Sequence, residues 1–166
     1  LTLAEEPGLQ VYELDQSFYP LCDERVAGTL VPVFSLRTDG SFGVGDFGDL
    51  MAMTDLVAST GQRMLQVLPI NDTTVTHTWT DSYPYSCISV FALHPQYADL
   101  RQLPPLNGSD RRQHYARLQR ELNALPQIDY ERMMQAKESY LHELYQQEGR
   151  QALATDDFAR FFDDNG

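Results

Sequence analysis

Cysteine is scarce in this chain: Cys22 and Cys87 are the only two in 166 residues. Two thiols so far apart form neither a disulfide framework nor a zinc-ligand spacing. They read as buried or free thiols in a reducing compartment. Basic residues are also few: 12 Lys and Arg stand against 24 Asp and Glu, a formal charge of −12. Nucleic-acid binding needs a clustered basic footprint, so this balance argues against it. The one basic cluster, Arg111, Arg112, Arg117 and Arg120, falls at helical spacing and reads as a solvated helix face. No run approaches the roughly 18 apolar residues of a membrane-spanning helix. No secretory leader is visible, so a cytoplasmic setting is the expectation. Two glycosylation sequons, Asn71-Asp72-Thr73 and Asn107-Gly108-Ser109, stand without other signs of secretion. Repeats and low-complexity tracts are missing as well. What remains is a globular composition, 42% hydrophobic and 11% aromatic, with enough length to bury a core.

Residues 1–24 read as an irregular lead-in, with one alternating piece at 9–14 that suits an edge strand. "GTLVPVFSL", residues 28–36, is apolar and rich in β-branched residues, which predicts a buried strand broken near Pro32. The glycine-rich stretch 37–49 follows. Leu50, Met53, Leu56 and Val57 then recur at helical spacing, with Asp46 or Asp49 as cap and Gly61 as stop. "RMLQVLPI", residues 63–70, predicts a second buried strand. Strand, helix and strand in this order form a βαβ unit with a parallel pair. From Asp110 onward the chain turns charged and helical, with Asp110, Asp129 and Thr155 at cap positions and Gly149 at a helix end. Two parallel strands make no stable sheet alone. Either further strands lie beyond residue 166, or the lead-in and mid-chain pieces supply them.

"GVGDFG", residues 43–48, matches the G-x-G-x-x-G pattern of dinucleotide sites, and Asp72 follows the second strand. Two features argue against that reading. Six residues separate Leu36 from Gly43, so the helix N-terminus is displaced from the strand end. Asp46 inside the loop would also repel a phosphate. The glycines Gly43 and Gly45 read instead as permitting tight turns.

The stretch "NDTTVTHTWTDSYPYSCIS", residues 71–89, is too long and too aromatic for a plain connector. Sugars need aromatic faces to stack on and dense donors and acceptors for their hydroxyls. Trp79, Tyr83 and Tyr85 supply the first; Asn71, Asp81 and Ser82 stand among the second; Pro84 stiffens the chain between the tyrosines. The loop leaves the carboxyl end of the second strand, where parallel α/β folds place their sites. The competing structural reading packs these aromatics inward.

Three blocks carry a resemblance: "VPVFSLRTDGSFGVGDFGDL", "RMLQVLPINDT" and "DSYPYSCISVFALHPQYADL". Over residues 27–100 the chain resembles the amino-terminal barrel segment of 4-α-glucanotransferases, the amylomaltase or disproportionating family. Its longer spacing between Leu-Pro and the tyrosine is similar to the branch with amino-terminal starch-binding modules. The resemblance implies a (β/α)8 barrel, with residues 1–26 as lead-in, 27–109 as the first barrel segment and 110–166 as a helical insertion. It implies retaining transfer of α-1,4-glucan segments between maltooligosaccharides derived from starch or glycogen, with no metal or organic cofactor. Ser82 and Tyr85 take the positions of the family's glucan-contacting Ser and Tyr, with Asp81, Tyr83, Trp79 and Asn71 as neighbours in the same loop. Asp46, Gly43, Gly45 and Pro84 would be structural. The family's catalytic carboxylates lie on later strands, and no stretch here matches them, so the expectation is a fragment inactive alone. A stand-alone glucan-binding module and an inert truncation that pairs strands with a second copy are the competing expectations.

Overall fold

The computed structural model describes residues 2–6, 9–13 and 25–165. Cys22 and most of the lead-in lie outside the described residues. Strand β1 (Thr2–Glu6) pairs antiparallel with β2 (Leu9–Glu13), Thr2 opposite Glu13 and Glu6 opposite Leu9. The lead-in therefore holds a hairpin rather than one isolated edge piece.

Strand β3 (Gly28–Leu30), helix α1 (Phe47–Ser59) and strand β4 (Met64–Gln66) form the expected unit, and the two strands pair in parallel. Both are shorter than their apolar patterns, and neither is buried as expected: Leu30 and Met64 are exposed. Val31 still donates from its N–H to Gln66 O at 2.9 Å. Pro32 has no N–H to continue, and the chain turns into a 3-10 turn at Val33–Ser35. Asp46 and Asp49 both serve the start of α1. Asp46 Oδ1 accepts from Asp49 N at 3.0 Å, and Asp49 Oδ2 accepts from Asp46 N at 3.1 Å. On the apolar stripe of α1 only Val57 is buried; Leu56 and Met51 face outward.

Helix α2 (Ser109–Asn123) and helix α3 (Tyr130–Leu153) run antiparallel, as their contacts show. Arg132 approaches Glu121, Tyr115 donates to Glu143, and Gln147 reaches back to Pro105. Two expected boundaries are corrected. Gly108, not Asp110, takes the cap position of α2, with φ at 91°, and Asp110 falls in the first turn. Helix α3 continues through Gly149, where an added Cβ would lie 2.6 Å from the Tyr145 ring, so this glycine makes room rather than ending the helix. Asp129 caps α3 through Arg132 N at 3.2 Å. Helix α4 (Asp156–Asn165) starts on Thr155, whose Oγ1 accepts from Phe158 N at 3.2 Å.

The core sits where the helical pair closes on the glycine-rich loop. Phe42 and Val44 pack against Leu106, Tyr115, Leu122, Tyr130 and Met133. Each such burial contributes about 1.5–3 kcal/mol. Gly43 adopts φ of 79°, and a Cβ on Gly45 would come within 1.9 Å of Val33 O, so both positions exclude a side chain. Arg37 ties the loop to the end of α2, donating to Leu125 O at 2.7 Å and to Gly43 O at 3.0 Å.

Candidate functional site

Ser41, Asp46 and Asp49 of the glycine-rich loop turn inward, while Arg37, Thr38 and Asp39 stay exposed. Asp46 and Asp49 are buried with Asp99, and Arg101 bridges all three. Its Nη2 lies 2.7 Å from Asp46 Oδ1 and its Nε 2.6 Å from Asp99 Oδ1. Burial would raise the Asp49 pKa, but hydrogen bonds from Ser41, Thr38 and Asp46 N, together with Arg101, hold it below the usual carboxylate range. Burial pushes Asp46 the other way, upward, aided by repulsion from Asp49 and Asp99. The helix start that a pyrophosphate would need is thus filled by carboxylates. This geometry rules out the dinucleotide reading there.

Beside this cluster lies Lys137, the only lysine of the chain and 0% exposed. Its Nζ donates to Gln96 O at 2.5 Å and to Ala98 O at 2.8 Å. Burial pushes its pKa down to about 8, against the opposing pull of Asp46, Asp99 and Asp49. Sequence patterning did not single out Lys137; its singularity in an otherwise arginine-only set was the available signal.

The aromatic loop is built the opposite way. Its neck is closed by antiparallel bonds: Asp72 N donates to Ala92 O at 2.9 Å, and His94 N to Ile70 O at 3.0 Å. His94 is buried and neutral; burial lowers its pKa. Its Nδ1 accepts from Gln96 N, so Nε2 carries the proton and faces Tyr130 Oη at 3.0 Å. Above the neck, Asp81 organises the loop. Its carboxylate accepts from Val75 N at 3.0 Å, Thr76 N at 2.9 Å, His77 N at 2.7 Å and Thr76 Oγ1 at 2.8 Å. Burial would raise its pKa, but these bonds outweigh burial and hold it low. His77 is held at φ of 57°, a left-handed backbone that this carboxylate stabilises.

The expected sugar contacts therefore divide. Asp81 is 5% exposed and its carboxylate is engaged within the loop, as a brace. Asn71 spends its amide on Val90 O at 2.9 Å, across the loop neck. The aromatics face out: Trp79 is 69%, Tyr83 59% and Tyr85 58% exposed. The inward-packing alternative does not hold. Tyr83 and Tyr85 flank Pro84 with ring centroids 5.5 Å apart. Trp79 and Ser82 line a cleft of about 830 Å³, whose other side is Phe34, Gln127 and Ile128 of the turn between α2 and α3, and Glu131 in the first turn of α3. Tyr83 and Tyr85 stand outside that cleft. The contribution of the turn was not legible in sequence, because it depends on a contact across 52 positions: Trp79 N donates to Glu131 Oε1 at 3.1 Å.

Such a cleft pairs an exposed indole with carboxylate, amide and hydroxyl groups, the combination that suits a polyhydroxyl ring. The arginines of the basic cluster have partners in or beside the helical pair. Arg111 faces Glu143, Arg117 faces Glu121, and Arg112 donates to Leu106 O at 3.0 Å. Among the described residues no helix is long and apolar enough to cross a membrane.

The 4-alpha-glucanotransferase family profile matches residues 31–166. The chain is 37% identical over 141 residues to 4-alpha-glucanotransferase DPE2 of Oryza sativa subsp. japonica, covering 85% of this chain and 15% of that protein. It is 38% identical over 118 residues to a 4-alpha-glucanotransferase of Chlamydia trachomatis, covering 71% of this chain and 21% of the relative. A third, from Chlamydia caviae, is 36% identical over 119 residues, 72% of this chain and 22% of the relative. The chain thus spans 15–22% of the length of these relatives. With the profile running from the break after β3 through α4, and relatives of one name along the same stretch, the chain belongs to the 4-alpha-glucanotransferase family.

Proposed function

We propose that this chain is the substrate-cleft part of a 4-alpha-glucanotransferase that moves α-1,4-glucan segments between maltooligosaccharides with retention of configuration. The observation that carries the reading is Trp79 and Ser82 facing one open cleft on a chain of this family. The chemistry runs in two displacements. A carboxylate attacks the anomeric carbon while a second carboxyl group protonates the departing glycosidic oxygen. The hydroxyl of an acceptor sugar then attacks that carbon, releases the first carboxylate and gives its proton to the second. Those carboxylates belong to a part of the enzyme other than these residues. Here Trp79 stacks on a glucose face and Ser82 takes a hydroxyl. Tyr83 and Tyr85 extend the surface, and Asp46, Gly43, Gly45 and Pro84 keep the two loops in shape.

The β3–α1–β4 unit is, on this proposal, the first unit of a (β/α)8 barrel, with 1–26 as lead-in and 110–166 as an insertion. Strands of three residues with Leu30 and Met64 exposed support a sheet that continues. The longer match to the rice protein favours the branch with amino-terminal starch-binding modules. The exposed free thiol of Cys87 suits a cytoplasmic, reducing setting. The exposed apolar edge also favours a second reading, strand pairing between copies, which a concentration-dependent mass would reveal.

The test is disproportionation of maltotriose by the full-length protein. Glucose and longer maltooligosaccharides should appear together, and the new linkage should form first in the α configuration. Net hydrolysis without longer products, or a β product, would refute the transfer mechanism. Ser82→Ala and Tyr85→Ala should each lower kcat/KM, by about tenfold.

A further inference from the structure

The 3-10 turn Trp79–Ser82 carries the exposed indole, yet its own cap residue, Thr78, makes no side-chain cap bond. A helical turn leaves its first N–H groups without partners. The N–H of Trp79 is one of these, and it donates to Glu131 Oε1 at 3.1 Å, from a different element. We propose that Glu131 is the positioning residue of the sugar cleft, a cap supplied by α3 that sets the distance between Trp79 and the opposite wall. The inference rests on the glucan reading above and deepens it.

Three observations support the assignment. The start of α3 that carries Glu131 is anchored: Asp129 caps the helix just before it, and its neighbour Tyr130 is buried against His94. A carboxylate in the first turn of α3 also sits favourably at the positive end of that helix. Packing does not fix the indole, which is 69% exposed, so the backbone bond is what ties it to the cleft. A second clasp lies two turns along α3, where Glu138 approaches His77 at 3.7 Å. The loop and the helical pair therefore hold one another at two points on one helix face. Since Glu131 and the α2–α3 turn line the same cleft as Trp79, the bond fixes the spacing between its two walls.

The experiment compares wild type, Glu131→Ala and Glu131→Gln in the full-length protein, with maltoheptaose as the probe. Trp79→Phe, which removes this reporter, is the background control for emission. A glutamine keeps an oxygen that accepts from Trp79 N; an alanine does not. The alanine variant should bind maltoheptaose roughly three- to tenfold more weakly and raise KM while kcat holds. The glutamine variant should return to within about twofold. Acrylamide quenching of Trp79 without sugar should rise in the alanine variant only. Equal affinity and equal quenching in wild type and Glu131→Ala would overturn the positioning role and leave the glucan reading standing. Absence of saturable maltoheptaose binding by wild type would overturn both.

Discussion

Two loops leave the carboxyl ends of the two parallel strands, and they solve opposite problems. The first, residues 37–46, drives Ser41 and Asp46 inward and leaves Arg37, Thr38 and Asp39 at its rim. Ser41, Asp46 and neighbouring Asp49 are buried and hydrogen-bonded, Arg101 bridges the two carboxylates, and α2 and α3 pack over the loop. The second, residues 71–91, keeps its one buried carboxylate as an internal brace and turns its aromatics outward. Glycine serves the first by letting backbones touch; threonine hydroxyls and Asp81 serve the second by replacing a core with local hydrogen bonds. A glycine-rich motif at a helix start is thus the scaffold here, and the loop with no such motif is the one that presents exposed aromatics.

The sharpest way to break this contrast is a methyl group in the first loop. Gly45→Ala places a Cβ against Val33 O and should cost about 3 kcal/mol or more, read as a shifted denaturant midpoint at unchanged m. Next in size is the brace of the second loop. Asp81→Asn turns an NH2 toward backbone N–H donors, and the loss should be about 2 kcal/mol, with sugar affinity falling as the loop loosens. The ionised Asp81 has a folded pKa below its unfolded value. Its contribution is therefore present above the unfolded pKa and is lost as pH falls through the folded one.

Lys137 sharpens the comparison from the scaffold side. Its folded pKa of about 8 lies below the 10.5 of an ordinary lysine. Within that window the unfolded chain holds the extra proton, so stability rises with pH. The neutral amine still has two N–H groups for Gln96 O and Ala98 O. Urea titrations should show a gain on the order of 1–2 kcal/mol as pH rises from about 8 to about 9.5. The gain should vanish in Lys137→Met. The smallest stability effect belongs to the exposed indole: Trp79→Ala should change the melting free energy by less than about 0.5 kcal/mol while abolishing most sugar binding.

Much of the scaffold was readable from residues. The α1 start, the break at Pro32 and the Thr155 start of α4 follow from local chemistry, since caps and prolines act over three or four positions. The strand lengths were not readable, because apolar patterning persists where the ladder stops. The loop's chemistry was visible as composition, but the roles within it were not. Asp81 and Ser82 are adjacent in sequence and differ only in where the folded backbone points them. The second wall of the cleft, with Glu131, depends on a long-range contact that no local pattern encodes.

The most direct test of the central claim is a titration of the protein with maltoheptaose, following emission from its single tryptophan, with cellohexaose as control. The outward loop as an α-glucan site predicts a saturable change with maltoheptaose alone, lost in Tyr85→Ala or Ser82→Ala and kept in Arg112→Ala on the far helix. No change with maltoheptaose at millimolar concentration, or the same change with cellohexaose, would contradict it.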